Sequence, residues 1–153
     1  MNKRILVAII IAAVIAGFSA QRCTEWASSI DASRDAQGQQ QSMGRLTHQQ
    51  TVVSYLHQHQ RLPDYYITKK QAREQGWEPR DGNLCSVLPG KAIGGDRFSN
   101  REGQLPSAHY RVWREADINN YQCGRLGADR LLYSNDGLIF VSRDHYKNFI
   151  RVE

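Results

Sequence analysis

Hydrophobic and polar positions are spread unevenly along the chain. Residues 21–46 are rich in Gln, Ser, Asp and Arg and show almost no apolar periodicity. Such a composition is typical of a segment that buries little apolar surface. From residue 47 onward, apolar residues recur at regular spacings. The pattern therefore predicts a linker or pro-segment over 21–46 and one globular domain over 47–153.

The first part of this domain has helical patterns. Val52, Val53 and Leu56 form an apolar stripe that predicts a helix over 48–59. Thr68 is of a residue type that caps helices, and it precedes a second predicted helix that extends to residue 75. A third, short helix is predicted over 83–88, before a Pro-Gly pair.

The pattern changes after Pro89 to short runs rich in apolar residues and β-formers, separated by Gly, Asn, Asp and Ser. The sequence Asn135-Asp136-Gly137 lies between two such runs and indicates a hairpin, because Asp-Gly tolerates positive φ angles. Helices followed by strands predict an α+β fold, with N-terminal helices packed on a C-terminal antiparallel sheet. The predicted strands lie near residues 92–98, 112–118, 130–134, 138–142 and 149–152.

Residues 1–20 have the layout of a secretory signal peptide. Lys3 and Arg4 precede an apolar run over 5–18 that is short for a bilayer span. An uncleaved anchor is the alternative interpretation. Removing residues 1–20 takes away two cations and no acid, so the formal net charge falls from +5 to +3. A mildly basic protein can bind a polyanion such as RNA, but many secreted proteins are equally basic, so the net charge does not indicate a function class.

Three cysteines in an exported chain suggest one disulfide and one remaining thiol. Cys85 and Cys123 both lie inside the predicted domain, whereas Cys23 follows the signal segment. We expect Cys85 to pair with Cys123, the alternative being two buried free thiols. A bridge closing a loop of this length stabilises by about 4 kcal/mol at most on the chain-entropy model.

Cleavage of RNA by internal transesterification needs a base for the 2′-hydroxyl, an acid for the leaving 5′-oxygen and cations around the phosphate. A carboxylate, a histidine, a lysine and an arginine meet this need without a metal. The chain has no phosphate-cradling glycine loop, zinc-ligand spacing or dinucleotide fingerprint. We therefore expect neither a metal site nor a cofactor.

A series of sequence blocks occurs in a fixed order between Val52 and Val152: Leu62-Pro63-Asp64-Tyr65-Tyr66-Ile67-Thr68-Lys69, Gly76-Trp77, Gly82-Asn83-Leu84, Pro89-Gly90-Lys91, the run from Ile93 to Gly103, Trp113-Arg114-Glu115-Ala116-Asp117-Ile118-Asn119, Asp129-Arg130 and Asp144-His145-Tyr146. In their content and order, these blocks resemble the barnase-like family of bacterial guanyl-specific ribonucleases. The resemblance implies the microbial ribonuclease fold.

The resemblance also implies the roles of the catalytic residues. Glu115 matches the general base of the family, and His145 matches its general acid. Lys69 and Arg130 match the cations that hold the scissile phosphate. Without the motif context, Glu115 is more often a solvated strand carboxylate, and His145 a loop histidine without a catalytic role. Lys69 is then a surface residue of a helix, and Arg130 is equally an ion-pair partner of an acid.

A guanine-recognition loop is implied for the run Phe98-Ser99-Asn100-Arg101-Glu102. In the family, backbone groups and a carboxylate read the base edge, so Glu102 would accept hydrogen bonds from guanine N1–H and its amino group. Glu102 is equally suited to stabilising its own turn. Tyr146 and Phe98 would supply aromatic surface near the bases. Trp77 and Trp113 are interpreted as core aromatics, and Phe98 as both a core residue and a base contact.

One position departs from the family pattern. The family commonly has a phosphate-binding arginine where this chain has Leu126. The neighbouring Arg125 would substitute only if the loop after Asn119, which is one residue longer, redirects its side chain. Otherwise we expect reduced turnover by the same mechanism.

These residues imply a secreted, extracellular or periplasmic, monomeric endoribonuclease that cuts single-stranded RNA after guanosine. The reaction would give a 2′,3′-cyclic phosphate and then a 3′-phosphate. The resemblance also implies an acidic inhibitor protein similar to barstar. The alternatives are an exported RNA-binding module with weak or lost catalysis, and a membrane-anchored nuclease.

Overall fold

The computed structural model describes residues 32–123 and 125–153. The predicted signal or anchor over 1–20 and Cys23 lie outside the described residues. Within the described part, no helix is long and apolar enough to cross a membrane. Residues Gln39–Glu153 form one compact unit.

The described chain begins in a helix, α1, over residues 32–46. Its sequence lacks an apolar stripe, but Ala, Gln, Arg and Met are favourable helix residues. Met43 is only 3% exposed, and Tyr65 donates a hydrogen bond to the carbonyl of Leu46 across 2.7 Å. The last turns of α1 therefore pack onto the unit that contains the predicted domain.

Three further helices agree closely with the predictions: α2 (Gln49–His59), α3 (Lys69–Glu74) and α4 (Leu84–Val87). The N-terminus of α3 is a capping box. Oγ1 of Thr68 accepts from the Gln71 backbone N–H, and the Gln71 side chain accepts from the Thr68 backbone N–H at 3.1 Å. This reciprocal bonding fixes the residue at which α3 begins.

Six strands form one sheet in the order β1-β2-β3-β4-β5-β6. Their bounds are β1 (Tyr66–Ile67), β2 (Ala92–Arg97), β3 (Trp113–Asp117), β4 (Arg130–Ser134), β5 (Ile139–Ser142) and β6 (Ile150–Val152). The last five strands pair antiparallel, as predicted. Strand β1 is an addition to the prediction and pairs parallel with β2, which makes the sheet mixed. The fold is α+β.

Helix α2 covers one face of the sheet. Val52, Val53 and Leu56 pack there with apolar residues of β4 and β5, including Leu131 and Val141. The part of the sheet beneath α2 is therefore closed to solvent on this side, and the opposite face is left for other groups.

Two smaller clusters complete the core. One joins α3, α4 and β2 and contains Trp77 and Leu84. The other contains Trp113 and Leu132, with Phe98 and Tyr146 packed against it. Trp77 and Trp113 are both buried, as expected of core aromatics.

The predicted disulfide between Cys85 and Cys123 is present, with Cα atoms 5.0 Å apart. It joins α4 to the connection between β3 and β4 across 38 positions of sequence.

Asn119, which follows β3, is hydrogen-bonded to the first residues of the domain. His48 offers no side-chain cap to α2, and Oδ1 of Asn119 instead accepts from the Gln49 N–H at 2.9 Å. The Asn119 backbone N–H donates to the Thr47 carbonyl, and Nδ2 donates to Asp129. Asn119 has a φ of 56°, a left-handed conformation in which Asn is enriched.

Candidate active site

Strand register places three charged groups on the sheet face opposite α2. Glu115 and Asp117 are two residues apart on β3 and therefore lie on the same face of the sheet. Asp117 lies directly opposite Arg130 on β4. The intervening residue Ala116 and its partner Leu131 face the other way, toward α2. Glu115 is 9% exposed, so its carboxylate lies in a largely desolvated position.

Lys69 reaches Glu115 because β1 leads directly into α3. Strand β1 ends beside β2, Thr68 caps the helix and Lys69 is its first residue. The Lys69 backbone N–H donates to Oδ2 of Asp96 on β2 at 2.9 Å. Its Nζ lies 2.5 Å from Oε1 of Glu115 on β3. A cation is thereby paired with the candidate base.

A glycine permits the close approach of β1 to the sheet. A Cβ on Gly94 would lie 2.7 Å from Cδ1 of Tyr66 and 2.9 Å from Cβ of Ala116. Tyr66 passes over this glycine, and its hydroxyl donates to the Asp117 carbonyl at 2.8 Å. The connection that positions Lys69 therefore depends on a side chain being absent at residue 94.

Tyr146 links the base to a second cation. Its hydroxyl donates to Oε2 of Glu115 at 2.7 Å and accepts from Nε of Arg130 at 3.0 Å. Burial, followed by the hydrogen bond to Glu115, raises the pKa of Tyr146 well above its usual value. The phenol therefore stays protonated as a donor. We expected only aromatic surface from this residue, and the hydroxyl contact is an additional function.

Arg130 is held by protein acceptors on several sides. Its Nε lies 3.0 Å from Oδ1 of Asp117, and NH1 donates to the carbonyls of Gly127 and Asp129. The other Asp117 oxygen is buried without a hydrogen bond within the described residues. Burial raises the pKa of Asp117 to about 6, although Arg130 and Lys69 oppose the increase.

His145 lies on a tight loop after β5. Both His145 (φ 56°) and Tyr146 (φ 70°) have left-handed backbones. Asp144 holds this loop: its Oδ1 accepts from the backbone N–H groups of Lys147 and Asn148 and from the Ser142 hydroxyl, at 2.9–3.1 Å. The His145 ring is exposed, and its centroid lies 5.0 Å from that of Tyr146. The candidate acid is therefore beside the phenol that contacts the candidate base.

The predicted recognition loop is held by Asn100. Its Nδ2 donates to the Leu105 carbonyl at 2.7 Å, and its Oδ1 accepts from the Leu105 N–H at 3.1 Å. Phe98 stacks on Tyr146 with ring centroids 5.5 Å apart, so the loop starts against the tyrosine that contacts Glu115. Ser99, Arg101 and Glu102 are exposed, and within the described residues no hydrogen bond or ion pair engages the Glu102 carboxylate.

Leu126 and Arg125 have different surroundings. Leu126 is half-buried and packs against the cluster that contains Trp77 and Leu84. Arg125 is exposed and lines a small cleft beside Trp77, Leu84 and Cys123. Within the described part of the chain, no hydrogen bond or ion pair joins Arg125 to Glu115, Arg130 or His145. Its suggested role as a substitute phosphate ligand stays a prediction.

The structure thus brings Lys69, Glu115, Arg130 and Tyr146 into direct contact and places His145 next to them. Sequence reasoning did not assign roles to Asp96 and Asp117. Asp117 lies two residues after Glu115, a spacing that puts both on one face of a strand, and this was the available signal. Among the described residues, no group of three or more His, Cys, Asp or Glu side chains is arranged to hold a metal ion.

Comparisons with known proteins identify the family of this chain. The model of the Ribonuclease family matches residues 47–153. A ribonuclease of Heyndrickxia coagulans is 59% identical over 101 residues, which are 66% of this chain and 92% of that relative. A ribonuclease of Bacillus intermedius and one of Bacillus pumilus are also 59% identical over 101 residues. Here the match spans 62% of the length of each relative.

The solved structures to which the chain is similar include two crystal structures of ribonuclease Sa2, one with guanosine-2'-cyclophosphate and one with exo-2',3'-cyclophosphorotioate. They are 19% and 20% identical, and each match covers 57% of this chain and 94% of the other chain, with a TM-score of 0.33. On the family model and the 59% identical relatives, the chain belongs to the ribonuclease family.

Proposed function

We propose that this ribonuclease is a secreted, guanyl-preferring endonuclease that cleaves single-stranded RNA without a metal or cofactor. The observation that carries the proposal is the contact set around Glu115. One carboxylate oxygen meets Lys69, and the other meets Tyr146, which in turn meets Arg130. This set supplies a base and two cations at one point of the sheet.

In the first stage, Glu115 takes the proton of the 2′-hydroxyl, whose oxygen attacks the adjacent phosphorus. His145 protonates the leaving 5′-oxygen, and a 2′,3′-cyclic phosphate forms. Lys69 and Arg130 offset the charge that develops on the phosphate oxygens. The exposed His145 is accessible to a leaving group that extends into solvent.

In the second stage, the roles are exchanged. His145 takes a proton from water, the water attacks the cyclic phosphate, and Glu115 returns a proton to the 2′-oxygen. The product is a 3′-phosphate. All proton transfers use side chains of this chain, so no step of the scheme requires a metal ion.

Guanine preference would come from the loop over Phe98–Glu102. The Glu102 carboxylate is exposed and free within the described residues, so it can accept from guanine N1–H and the exocyclic amino group. Adenine presents no donor at N1 and no amino group at C2, so it would leave both carboxylate oxygens unpaired. Asn100 fixes the loop through its bonds to Leu105, which keeps Glu102 in place before the base arrives.

Secretion is supported by the basic head and apolar run of residues 1–20 and by the Cys85–Cys123 disulfide. We propose cleavage near residue 20, a linker or pro-segment over 21–46, and a monomeric ribonuclease domain over 47–153. Mass spectrometry of secreted protein distinguishes this from the anchored form. The resemblance to the barnase-like family makes an acidic inhibitor similar to barstar the expected protein partner.

The test is cleavage of a defined single-stranded RNA, containing all four bases, in excess EDTA, with mapping of the product ends. Wild type is expected to cut after G and to leave cyclic-phosphate ends. Glu115→Gln and His145→Ala are each expected to lose about 10²–10⁴-fold in kcat. Glu102→Gln is expected to reduce the preference for G over A.

Glu74→Gln and His109→Ala are matched controls, because both side chains are exposed and, among the described residues, no hydrogen bond or ion pair joins either to Lys69, Glu115, Arg130 or His145. The proposal is wrong if EDTA abolishes cleavage, or if the control variants lose as much activity as the site variants. A folded wild type that binds the RNA without cutting it supports the RNA-binding module instead.

A further inference from the structure

The outer side of the recognition loop forms a second cationic surface. A cavity of about 480 Å³ lies between residues 97–101 and 107–113, and we call it the arginine groove. Arg97, Arg101 and Arg111 line it, and none of its lining residues is acidic. Ser99, Asn100 and Ser107 add polar groups.

Two of these three arginines, Arg97 and Arg101, form no ion pair with an acidic side chain within the described residues. Arg111 is satisfied, because Nε and NH2 donate to Asp136 and NH1 donates to the Pro106 carbonyl. The Arg97 side chain is exposed, and its guanidinium has no hydrogen bond or ion pair within the described residues. The only described contact of the Arg101 guanidinium is with Oγ of Ser99. The groove therefore presents unneutralised positive charge.

Strand register adds a further cation next to the groove. Arg97 on β2 lies directly opposite Arg114 on β3, and Arg114 donates to a carbonyl, that of Gly95, instead of an acid. Like charges directly opposite each other in a sheet destabilise it. A bound anion would remove this repulsion.

The arginine groove is separate from the cleavage site. Arg97, which lines the groove, is paired with Arg114, whereas Asp96 is paired with Glu115; Arg97 and Arg114 therefore face the side of the sheet opposite to Glu115. The groove nevertheless shares Phe98, Ser99, Asn100 and Arg101 with the recognition loop. An RNA strand bound at this loop would have the arginine groove on one side and the proposed catalytic residues on the other.

We propose that the arginine groove binds backbone phosphates of RNA nucleotides outside the cleaved dinucleotide. This inference rests on the proposed function. Arg97 would contact a phosphate directly, and Arg114 would add to the local positive potential. The groove would lower KM for long RNA while contributing nothing to cleavage of a dinucleotide, which has no phosphate other than the scissile one.

The experiment compares two substrates: GpU, and a pyrimidine 12-mer RNA with one central G. In Arg97→Gln, kcat/KM for the 12-mer is expected to fall about 3–10-fold, while that for GpU stays unchanged. The slope of log kcat/KM against log salt should become shallower by about 0.7, the value for one phosphate contact on a single strand. Arg97→Lys should keep most of the activity on the 12-mer.

Arg151→Gln is the matched control, because Arg151 is an exposed arginine on β6, at the other edge of the sheet. The inference is wrong if Arg97→Gln changes both substrates equally, or if Arg151→Gln gives the same loss. Thermal unfolding of each variant verifies that the fold is intact.

A binding measurement separates this inference from the proposed function. The probe is a fluorescent DNA 12-mer with one dG, which lacks the 2′-hydroxyl needed for cleavage. If wild type cuts neither RNA, the proposed function fails, and the groove is still judged by this probe. Weaker binding by Arg97→Gln than by Arg151→Gln supports the groove, and equal binding overturns it.

Discussion

The hydroxyl of Tyr146 donates to Oε2 of Glu115 across 2.7 Å, while Lys69 occupies Oε1. Each carboxylate oxygen has two lone-pair positions, so each retains room for one more donor. A 2′-hydroxyl can therefore approach Glu115 without displacing either partner. The base is held in position before substrate arrives.

Tyr146→Phe removes this donor while keeping the ring that stacks on Phe98. Because the hydroxyl stabilises the carboxylate, we expect the acidic limb of the pH–activity profile to move to higher pH. We also expect kcat to fall about tenfold, in line with a hydrogen bond to a charged group. Steady-state kinetics on GpU from pH 4 to 8 measure both effects, and an unchanged acidic limb would contradict this role.

Asp144 is expected to be a positioning residue for His145. Asp144→Ala removes the acceptor that holds two left-handed residues, so kcat should fall on the order of 10–100-fold with little change in KM. Asp144→Asn, which keeps one acceptor oxygen, should recover part of the loss. An Asp81→Ala control should stay at the wild-type rate, and equal kinetics for all three variants would exclude the role.

The loop that Asp144 holds is also expected to affect stability at acid pH. Hydrogen bonds from Asn148 hold the pKa of Asp144 at about 2, below its ordinary value of 3.8. Stability from this group is therefore present above about pH 4 and is lost as pH falls through about 2. In urea unfolding, the stability difference between wild type and Asp144→Asn should shrink over that interval; a constant difference would oppose this assignment.

Asp117 should show the opposite pH dependence. Burial raises its folded-state pKa to about 6, so its stabilising contribution is present below about pH 4 and is lost as pH rises through about 6. The stability of Asp117→Asn relative to wild type should therefore rise between pH 4 and 7, by at most about 3 kcal/mol. Asp81→Asn controls for the lost charge, and a relative stability independent of pH would refute the prediction.

Leu126→Arg tests whether a missing cation limits turnover. An arginine at this position should raise kcat/KM on RNA several-fold, while the lost packing against Trp77 and Leu84 costs about 1 kcal/mol. Leu126→Gln loses the same packing without adding charge and should show only the stability loss. If the two variants have equal activity, a second phosphate cation at residue 126 is not what this enzyme lacks.

Much of the fold could be predicted because local signals agreed with tertiary packing. The apolar stripe of α2 and the Thr68 cap gave the helices within one or two residues. Strand β1 was missed because two residues carry no detectable alternation, and it forms only through pairing with β2. Helix α1 was missed because its sequence has no apolar stripe, although Met43 is buried.

The site was predictable in its residues but not in its contacts. The resemblance singled out Glu115, His145, Lys69 and Arg130 by motif. It could not show that the Tyr146 hydroxyl connects Glu115 to Arg130, because that bond joins residues 31 positions apart across the sheet. The arginine groove likewise depends on strand register, which pairs Arg97 with Arg114 and is set by turns and a bulge.

The cap that Asn119 provides for α2 has a consequence for the order of folding. The acceptor for the first helical N–H lies 70 positions later in the chain, on the far side of β3. A nascent chain that has emerged only through residue 60 therefore has the apolar stripe of α2 but not its N-terminal acceptor. The native cap can form only once Asn119 has been synthesised, so the first turn of α2 and the end of the strand that carries Glu115 gain this contact together.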